Sequence, residues 1–201
     1  MSASVTLVDY GMGNLPNVAR AFERVGARAS VTDDPGAIER AERVVVPGVG
    51  ACGDAMANLR AKGLDRALLD WLATGRPFLG ICLGLQLLLE RAEEGDATCL
   101  GVIPGRVEAF PEDLELPVPH MGWNEVEPER EHPVVRRGHF YFVHGFRAAH
   151  VPDEYCLGRT EHGERFVSAV GRENFVAVQF HPEKSQRAGL DLLERFCGWS
   201  P

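Results

Sequence analysis

The sequence predicts an α/β fold, a single domain with a mostly parallel central sheet flanked by helices. Short apolar runs alternate with stretches of helical periodicity through the first half, a pattern that places helices over both faces of a parallel sheet. The second half contains short extended segments separated by many Pro and Gly residues, which predicts extra short strands. The 201 residues, 45% of them hydrophobic, suffice for one sizeable core and are few for two. We therefore expect one domain over residues 1–201.

The first half is predicted to contain four strands, each followed by helical sequence. Strands are expected at residues 5–9, 28–32, 43–46 and 78–81, and helices at 14–25, 35–40, 54–62, 64–73 and 83–93. Residues 14–25 illustrate the reasoning, since Leu15, Val18 and Phe22 recur on one side at a spacing of three to four.

The second half is predicted to consist of short strands and a closing helix. Strands are expected at residues 102–103, 106–110, 124–126, 140–143, 155–159, 166–170 and 175–180. Residues 186–197 have helical periodicity, with Leu190, Leu193 and Phe196 forming the apolar stripe.

Composition excludes several classes of function. The net charge is −8 and no cluster of Lys or Arg occurs, so we expect no nucleic-acid partner. No signal peptide and no apolar run of about 20 residues is visible, so we expect no membrane association. The five scattered cysteines contain no CxxC pair, which predicts a reduced, cytoplasmic chain without a structural metal.

The stretch Gly80-Ile81-Cys82-Leu83-Gly84 has the spacing of a nucleophile elbow. In such an elbow the nucleophile lies on a sharp turn between strand and helix, and small residues two positions away let neighbouring backbone pass close by. The following helix directs free N–H groups and a positive dipole end at the thiol, which favours the thiolate. A buried structural cysteine between incidental glycines would produce the same letters, so this stretch alone leaves both interpretations open.

The stretch His181-Pro182-Glu183 follows the strand predicted at 175–180. A thiol nucleophile needs a base, and the base needs an acceptor that orients its ring. Pro182 keeps His181 extended, and residues two apart on an extended chain face the same side. A surface histidine beside a solvated glutamate is the alternative. The location at the carboxyl end of a strand, together with the elbow, favours a triad of Cys82, His181 and Glu183.

The loop 48–53 contains a formal G-x-G-x-x-G. A dinucleotide site would need an acidic residue at the end of the next strand, about 20 residues on, and that distance falls near Asp70 inside a predicted helix. The loop is better interpreted as a source of backbone N–H groups for an oxyanion beside the elbow.

The remaining cysteines and most histidines are given structural interpretations. Cys99 and Cys156 are assigned to strand packing and Cys197 to helix packing, while Cys52 in the glycine loop stays ambiguous. Surface positions are predicted for His132, His139, His150 and His162.

Three motifs carry a family resemblance. P-G-x-G at 47–50, G-I-C-x-G-x-Q at 80–86 and H-P-E at 181–183 resemble, in that order, the motifs of class I (triad) glutamine amidotransferases. PHMGWN at 119–124, YFVH at 141–144 and DYGMGN at 9–14 narrow the resemblance to the glutaminase subunits of imidazole glycerol phosphate synthases. The resemblance covers almost the whole chain and implies a flavodoxin-like fold.

The resemblance implies a reaction and a partner. Glutamine would be hydrolysed to glutamate and ammonia without a cofactor or metal, and the ammonia would pass to a (β/α)8-barrel cyclase subunit in a heterodimer of histidine biosynthesis. Cys82 would attack the amide, His181 would transfer protons and Glu183 would hold the imidazole ring. The oxyanion hole would be formed by the backbone N–H of Leu83 and a loop N–H at Val49 or Gly50.

Other residues match family positions that bind glutamine or the partner. Glutamine binding is implied for Gly48, Gln86, Glu94, Tyr141, His144, Gly145 and Phe146. In this set Glu94 would meet the α-ammonium group, and backbone groups around 141–146 would hold the α-carboxylate. A partner interface is implied for Asn14, Met121, Trp123, Asn124, Tyr141 and Lys184. Where the family often has Ser-Tyr, this chain has Gly145-Phe146, which is harmless if only the backbone binds the carboxylate and weakens glutamine binding if the hydroxyl does.

Three rival functions are weighed against this one. A free-standing glutaminase would release ammonia with no acceptor site on the chain. A class I subunit that supplies aminodeoxychorismate, anthranilate or nucleotide synthesis would lack a reason for the stretch 119–124. A catalytically inactive assembly subunit would not need an intact triad.

Overall fold

The computed structural model describes residues 2–201, which form one central sheet with helices on both faces. The strands are β1 Ser4–Val8, β2 Arg28–Thr32, β3 Val44–Gly48, β4 Phe78–Cys82, β5 Arg91–Ala92, β6 Ala97–Thr98, β7 Arg106–Ala109, β8 His120–Pro128, β9 Gly138–His144, β10 Phe146–Ala149, β11 Cys156–His162, β12 Glu164–Arg172 and β13 Phe175–Val178. The helices are α1 Leu15–Arg24, α2 Pro35–Glu39, α3 Cys52–Ala61, α4 Leu64–Leu72, α5 Leu83–Gln86 and α6 Gln186–Gly198.

The sheet combines a parallel and an antiparallel part. The order β2-β1-β3-β4-β13 is parallel throughout, and β12, β10 and β7 continue it with antiparallel pairing. A second branch runs from β12 through β11 and β8 to β9. The predicted α/β fold with a mostly parallel core and added short strands is therefore confirmed.

Strand register places the site. Gly48 pairs with Cys82, and Ile81 pairs with Val178, so β3, β4 and β13 end at one edge of the sheet. Functional groups collect at this edge in parallel α/β sheets, since the loops after the strands converge there.

The core lies on both faces of the sheet because side chains alternate along each strand. Val44 and Val46 face the cluster that contains Leu59 of α3 and Trp71 of α4. Val45 faces the opposite cluster, in which Phe22 of α1 and Phe196 of α6 meet edge to face at 6.3 Å. None of the helices in the described part of the chain has the length and apolar character needed to span a membrane.

The predicted helix at 83–93 is wrong beyond its first turn. Helix α5 ends at Gln86, and the carbonyls of Leu87, Leu88 and Leu89 accept N–H groups from residues 100–103. Residues 83–89 are buried on every side, so the leucines match no single helix face, and tertiary packing overrides their helix propensity.

Other boundaries differ in ways that follow from pairing partners. Residues 102–103, predicted as a strand, instead supply the N–H groups to the Leu88 carbonyl. Strand β10 was not predicted, and β13 ends at Val178 although its apolar alternation continues to Phe180.

Candidate active site

Cys82 lies on a strained turn between β4 and α5. Its backbone has φ 55° and ψ −105°, a conformation that non-glycine residues rarely adopt and that marks functional sites. A Cβ atom on Gly84 would lie 1.9 Å from the Val46 carbonyl oxygen, and one on Gly80 would lie 2.6 Å from the Gly84 carbonyl oxygen. The flanking glycines therefore allow backbone to pass at distances that any side chain would prevent, as the elbow pattern predicts.

The loop after β3 runs beside this turn. A Cβ atom on Gly48 would lie 1.9 Å from the Tyr10 hydroxyl, which donates to the Pro47 carbonyl at 2.9 Å. Burial raises the pKa of Tyr10, with Cys82 adding to the effect, so the hydroxyl keeps its proton and remains a donor. Gly50 has φ 105°, and the loop lines the same cavity as Cys82.

His181 and Glu183 are held together in the interior. The Nδ1 atom of His181 lies 2.8 Å from Oε1 of Glu183, and both side chains are 3% exposed. His181 is extended, as predicted, but Glu183 lies in a 3-10 turn over Pro182–Lys184. The predicted contact between His181 and Glu183 therefore forms, but through a turn at Glu183 and not through an extended chain as expected.

Three hydrogen bonds fix the backbone of His181. Its N–H donates to the Tyr141 carbonyl at 2.9 Å, and its carbonyl accepts the Ser185 hydroxyl at 2.6 Å. The same hydroxyl oxygen accepts the Tyr141 N–H at 2.9 Å. Strand β9 thus holds the His181 backbone through one main-chain bond and through the Ser185 hydroxyl, which bridges the two segments.

Opposing effects set the charge of His181. Burial lowers the pKa of His181, but Cys82 and Glu183 raise it by more, and the result is a pKa of about 9. Its Nε2 atom has no hydrogen-bond partner among residues 2–201. An imidazole fixed at Nδ1 and free at Nε2 can accept and return a proton.

A cavity of about 290 Å³ opens over the elbow. It is lined by Val49, Gly50, Ala51, Cys82, Leu83, Gln86, Glu94, Pro119, Val143, His144, Gly145 and Phe146. Among the implied glutamine-binding residues, Gly48 and Tyr141 do not line it. A Cβ atom would fit at Gly145, because the nearest atom to it would be Val118 Cγ1 at 3.9 Å.

Glu94 places a carboxylate at one end of this cavity. Burial raises its pKa, and the backbone N–H of Cys52 partly offsets that effect. An acidic group at this position can bind an ammonium group of a small ligand.

Two buried amide side chains make contacts that the sequence analysis did not predict. Gln86 donates to the Phe146 carbonyl at 3.1 Å and to Gln179 at 3.2 Å, and the amide nitrogen of Gln179 lies 3.6 Å from Cys82 Sγ. Gln179 was not singled out, although its position two residues before His181 at a strand end was a usable signal.

His144 lines the cavity, and a second buried histidine, His120, lies behind it. Asn124 Nδ2 lies 3.2 Å from His120 Nε2, His120 Nδ1 lies 3.0 Å from His144 Nε2, and His144 Nδ1 lies 2.8 Å from the Phe146 carbonyl oxygen. His162 stacks on His120 with ring centroids 4.1 Å apart. Burial lowers the pKa of His120 to about 4 and that of His144 to about 3, so both rings are neutral near pH 7.

Several residues of the implied interface form a surface beside the cavity. Met121 is 63% exposed and Trp123 48% exposed, and the Trp123 ring meets Tyr141 at 6.3 Å. Lys184 Nζ lies 5.8 Å from the centre of the Tyr141 ring. Large exposed apolar groups clustered in this way are typical of protein-binding surfaces.

The two asparagines of that set are engaged within the chain. The Asn14 side chain caps α1 by accepting the Asn17 N–H at 3.2 Å. Asn124 donates to the Glu161 carbonyl at 2.7 Å as well as to His120. Their roles toward a partner stay predictions.

The structural interpretations of the other cysteines and histidines hold in part. Cys52, Cys99 and Cys156 are buried and Cys197 is half-buried on α6, while Cys99 directly follows β6 instead of lying in a strand. His139 and His150 are exposed, as predicted.

The surface prediction is wrong for His132 and His162, which are half-buried. His132 Nδ1 accepts the Val134 N–H at 3.2 Å, and burial lowers its pKa to about 4. Both residues lie in turn-like sequence, but their rings are covered by neighbouring aromatic side chains.

Known proteins resemble this chain over almost its whole length. A family model described as glutamine amidotransferase class-I matches residues 6–197. A protein of Nitrosococcus oceani named imidazole glycerol phosphate synthase subunit HisH is 49% identical over 98% of this chain and 98% of its own. A protein of the same name from Aromatoleum aromaticum is 45% identical over 99% of this chain and 100% of its own.

Solved structures support the fold. A structure titled PurLQS from Thermotoga maritima superposes with a TM-score of 0.77 at 18% identity, covering 98% of this chain and 99% of that one. A structure titled glutamine amidotransferase superposes with a TM-score of 0.75 at 20% identity, covering 96% and 99%.

Proposed function

The chain belongs to the class-I glutamine amidotransferase family, and from this premise we propose that Cys82, His181 and Glu183 hydrolyse glutamine in the cavity over the elbow. The observation that carries the proposal is the buried 2.8 Å contact between His181 and Glu183 at the strand edge where Cys82 is presented on a strained turn. Nucleophile, base and orienting carboxylate are the three parts that such chemistry needs.

The reaction runs through a thioester. Cys82 Sγ attacks the side-chain amide carbon of glutamine, and the oxygen is stabilised by the N–H of Leu83 and a loop N–H at Val49 or Gly50. His181 transfers the thiol proton to the amide nitrogen, the C–N bond breaks and ammonia leaves. A water molecule deprotonated by His181 then cleaves the C–S bond and releases glutamate.

The substrate is held along the cavity. Glu94 binds the α-ammonium group, while backbone around Gly145 and Phe146 binds the α-carboxylate beside His144. Gln86 lines the same space, but both of its amide protons are committed to the protein, so only its Oε1 has capacity to accept a further bond. Gly48 and Tyr141 support these groups through their backbone.

The chain is an enzyme, the glutaminase subunit of an imidazole glycerol phosphate synthase in histidine biosynthesis, as its relatives of the same length are named. Its partner is the cyclase subunit, a (β/α)8 barrel that receives the ammonia. We assign the docking surface to Met121, Trp123 and Lys184, with Asn14 and Asn124 at its margins. A cytoplasmic location is supported by the five free cysteines.

The triad assignment is tested by Cys82→Ser in the assembled complex. Synthesis with glutamine should fall to background, because a hydroxyl replaces the thiolate nucleophile, while synthesis with free ammonia should be retained. The measurement is product formation from each nitrogen source at equal protein concentration.

Two results would contradict the proposal. Glutamine-dependent synthesis that survives Cys82→Ser removes the nucleophile assignment. High glutamine hydrolysis by the isolated chain, undiminished relative to the complex, removes the partner-dependent function.

A further inference from the structure

The Phe146 carbonyl determines which atoms donate and which accept in a network of buried polar side chains. A backbone carbonyl only accepts, so the atoms of Gln86 and His144 that approach it at 3.1 and 2.8 Å must both be donors. The amide nitrogen of Gln86 is therefore identified by its partner and not by the shape of the side chain.

The orientation of Gln179 follows from that of Gln86. The second N–H of Gln86 is directed at the Gln179 side chain 3.2 Å away, so the atom that receives it must be the Gln179 oxygen. Oε1 of Gln86 meanwhile lies 3.7 Å from the Cys52 thiol, which can donate to it. The Gln179 nitrogen is left to face Cys82 Sγ at 3.6 Å.

We propose that Gln179 is a further catalytic residue, whose amide N–H stabilises the thiolate of Cys82. Strand register supports this placement, since Val178 pairs with Ile81 and Gln179 follows at the position beside Cys82. Gln179 is completely buried, so water does not compete for the bond. Hydrogen bonds to an ionised acceptor are about twice as strong as those between neutral groups.

The other groups around the sulfur act differently. His181 contributes a charge that changes with pH. Tyr10 and Cys52 also face Cys82, but burial raises the pKa of Tyr10, and the Cys99 thiol with burial raises that of Cys52, so both stay neutral. Gln179 does not titrate, and its effect on the sulfur is therefore constant across an assay range.

The test is the pH dependence of Cys82 alkylation in the assembled complex. Iodoacetamide is the probe, and labelling of the Cys82 peptide is followed by mass spectrometry because five cysteines are present. Gln179→Met removes the donor and keeps the length, and Gln179→Glu keeps the shape. Both should move the midpoint of the alkylation profile to higher pH by about one unit, and alkylation below it should slow about tenfold.

A matched control separates this effect from loss of buried polarity. Ser168→Ala removes the hydroxyl that accepts the Thr160 hydroxyl at 2.8 Å in the same part of the sheet, without contact to sulfur. It should leave the midpoint unchanged. An unchanged midpoint in both Gln179 variants would overturn the proposal, even if glutamine hydrolysis falls.

Gln86→Glu provides a second route if the Gln179 variants do not fold. A carboxylate cannot donate to the Gln179 oxygen, so the Gln179 amide should turn over and direct its oxygen at the sulfur. The midpoint should move to higher pH as well, and a midpoint that stays in place contradicts the inference.

The inference rests on the proposed function only in that Cys82 is the nucleophile, and the two can fail separately. Glutamine hydrolysis that survives alkylation of the parent complex refutes the role of Cys82, whereas the midpoints still report whether Gln179 acts on its sulfur. Co-elution of the two subunits in size-exclusion chromatography reports that each variant complex is assembled.

Discussion

The two walls of the cavity restrict the chain in different ways. The elbow wall consists of Cys82, which lines the cavity, and of three glycines behind it, Gly48, Gly80 and Gly84; a Cβ atom on any of these glycines would come within 1.9 to 2.6 Å of another atom. The histidine wall consists of His144 and Phe146, which line the cavity, and of His120 and Asn124 behind them; here the side chains are large and directed hydrogen bonds of 2.8 to 3.2 Å join the four residues.

The difference teaches which constraints can be recognised in a sequence. The steric limit on the elbow wall leaves a local signal, the glycines two positions before and after Cys82, although the Val46 backbone that imposes the limit on Gly84 is distant in sequence. A directional limit on the histidine wall joins residues that are 2 to 24 positions apart, and neither partner reveals the other. Substitutions on each wall test whether the two walls differ in this way.

The largest effect is expected for Gly84→Ala on the elbow wall. The added methyl group would lie 1.9 Å from the Val46 carbonyl oxygen, and backbone cannot yield as a flexible side chain can. Unfolding free energy from urea denaturation should fall by more than about 3 kcal/mol, with loss of glutamine hydrolysis.

Gly198→Ala is the matched control, because a Cβ atom there meets nothing within 4 Å. It should change stability by less than about 0.5 kcal/mol. Equal losses for the two variants would show that steric closeness at Gly84 is not what matters.

The next effect is expected for Glu183→Gln, where charge and direction act together. An amide in place of the carboxylate can present either end to His181 Nδ1, so the ring loses its fixed tautomer. Values of kcat/KM for glutamine in the complex should fall by about 10² to 10⁴. Glu173→Gln, at an exposed glutamate, should have no effect, and a comparable loss there would contradict the assignment.

The two kinds of histidine should give stability opposite dependences on pH. The folded-state pKa values of His120 and His144, about 4 and 3, lie below the ordinary 6.5, so the unfolded chain binds protons first as the pH falls. Stability should therefore be lost between about pH 6.5 and 3. His181 has a folded pKa of about 9, so its contribution is present below pH 6.5 and lost as the pH rises through 9.

Urea denaturation at a series of pH values measures both limbs, each on the order of 1–3 kcal/mol. His144→Gln should reduce the acidic limb, in which His120 and His132 still contribute, and leave the alkaline one, and His181→Gln should do the reverse. If both variants flatten the same limb, the contrast between a charged and a neutral histidine fails.

The smallest effect is expected away from both walls, at the exposed pair Arg66 and Asp70 on α4. Their side chains approach at 3.1 Å but are 79% and 63% exposed, so water screens the attraction. Arg66→Ala should change the unfolding free energy by less than about 0.5 kcal/mol. A larger change would mean that the measurement does not separate the walls from the surface.

Local pattern was sufficient for much of the fold. Alternation of apolar strands and amphipathic helices predicted β1 to β4 and α1, because each of these elements pairs or packs with its neighbours in sequence. It failed for residues 87–93, where a leucine run is buried on all sides and carries no helical periodicity. Strand β10 was not predicted for a related reason, since its four residues are recognisable only by their pairing with β7 and β12.

The same limit applies to the site. Cys82, His181 and Glu183 were predictable because the elbow and the His-Pro-Glu stretch are local motifs. Gln179 and His120 were not given roles, because a buried amide or imidazole acquires its function from partners up to 97 positions away. Sequence spacing holds no record of which atom donates and which accepts.

The double acceptance at the Phe146 carbonyl has a consequence for substrate traffic. An amide oxygen has two lone pairs, and here His144 and Gln86 occupy both. A ligand that approaches this oxygen with its own N–H must therefore evict one resident donor, and the evicted group then seeks a new acceptor. A ligand group that accepts hydrogen bonds, such as a carboxylate, does not compete for this oxygen and leaves the amides behind Cys82 in place.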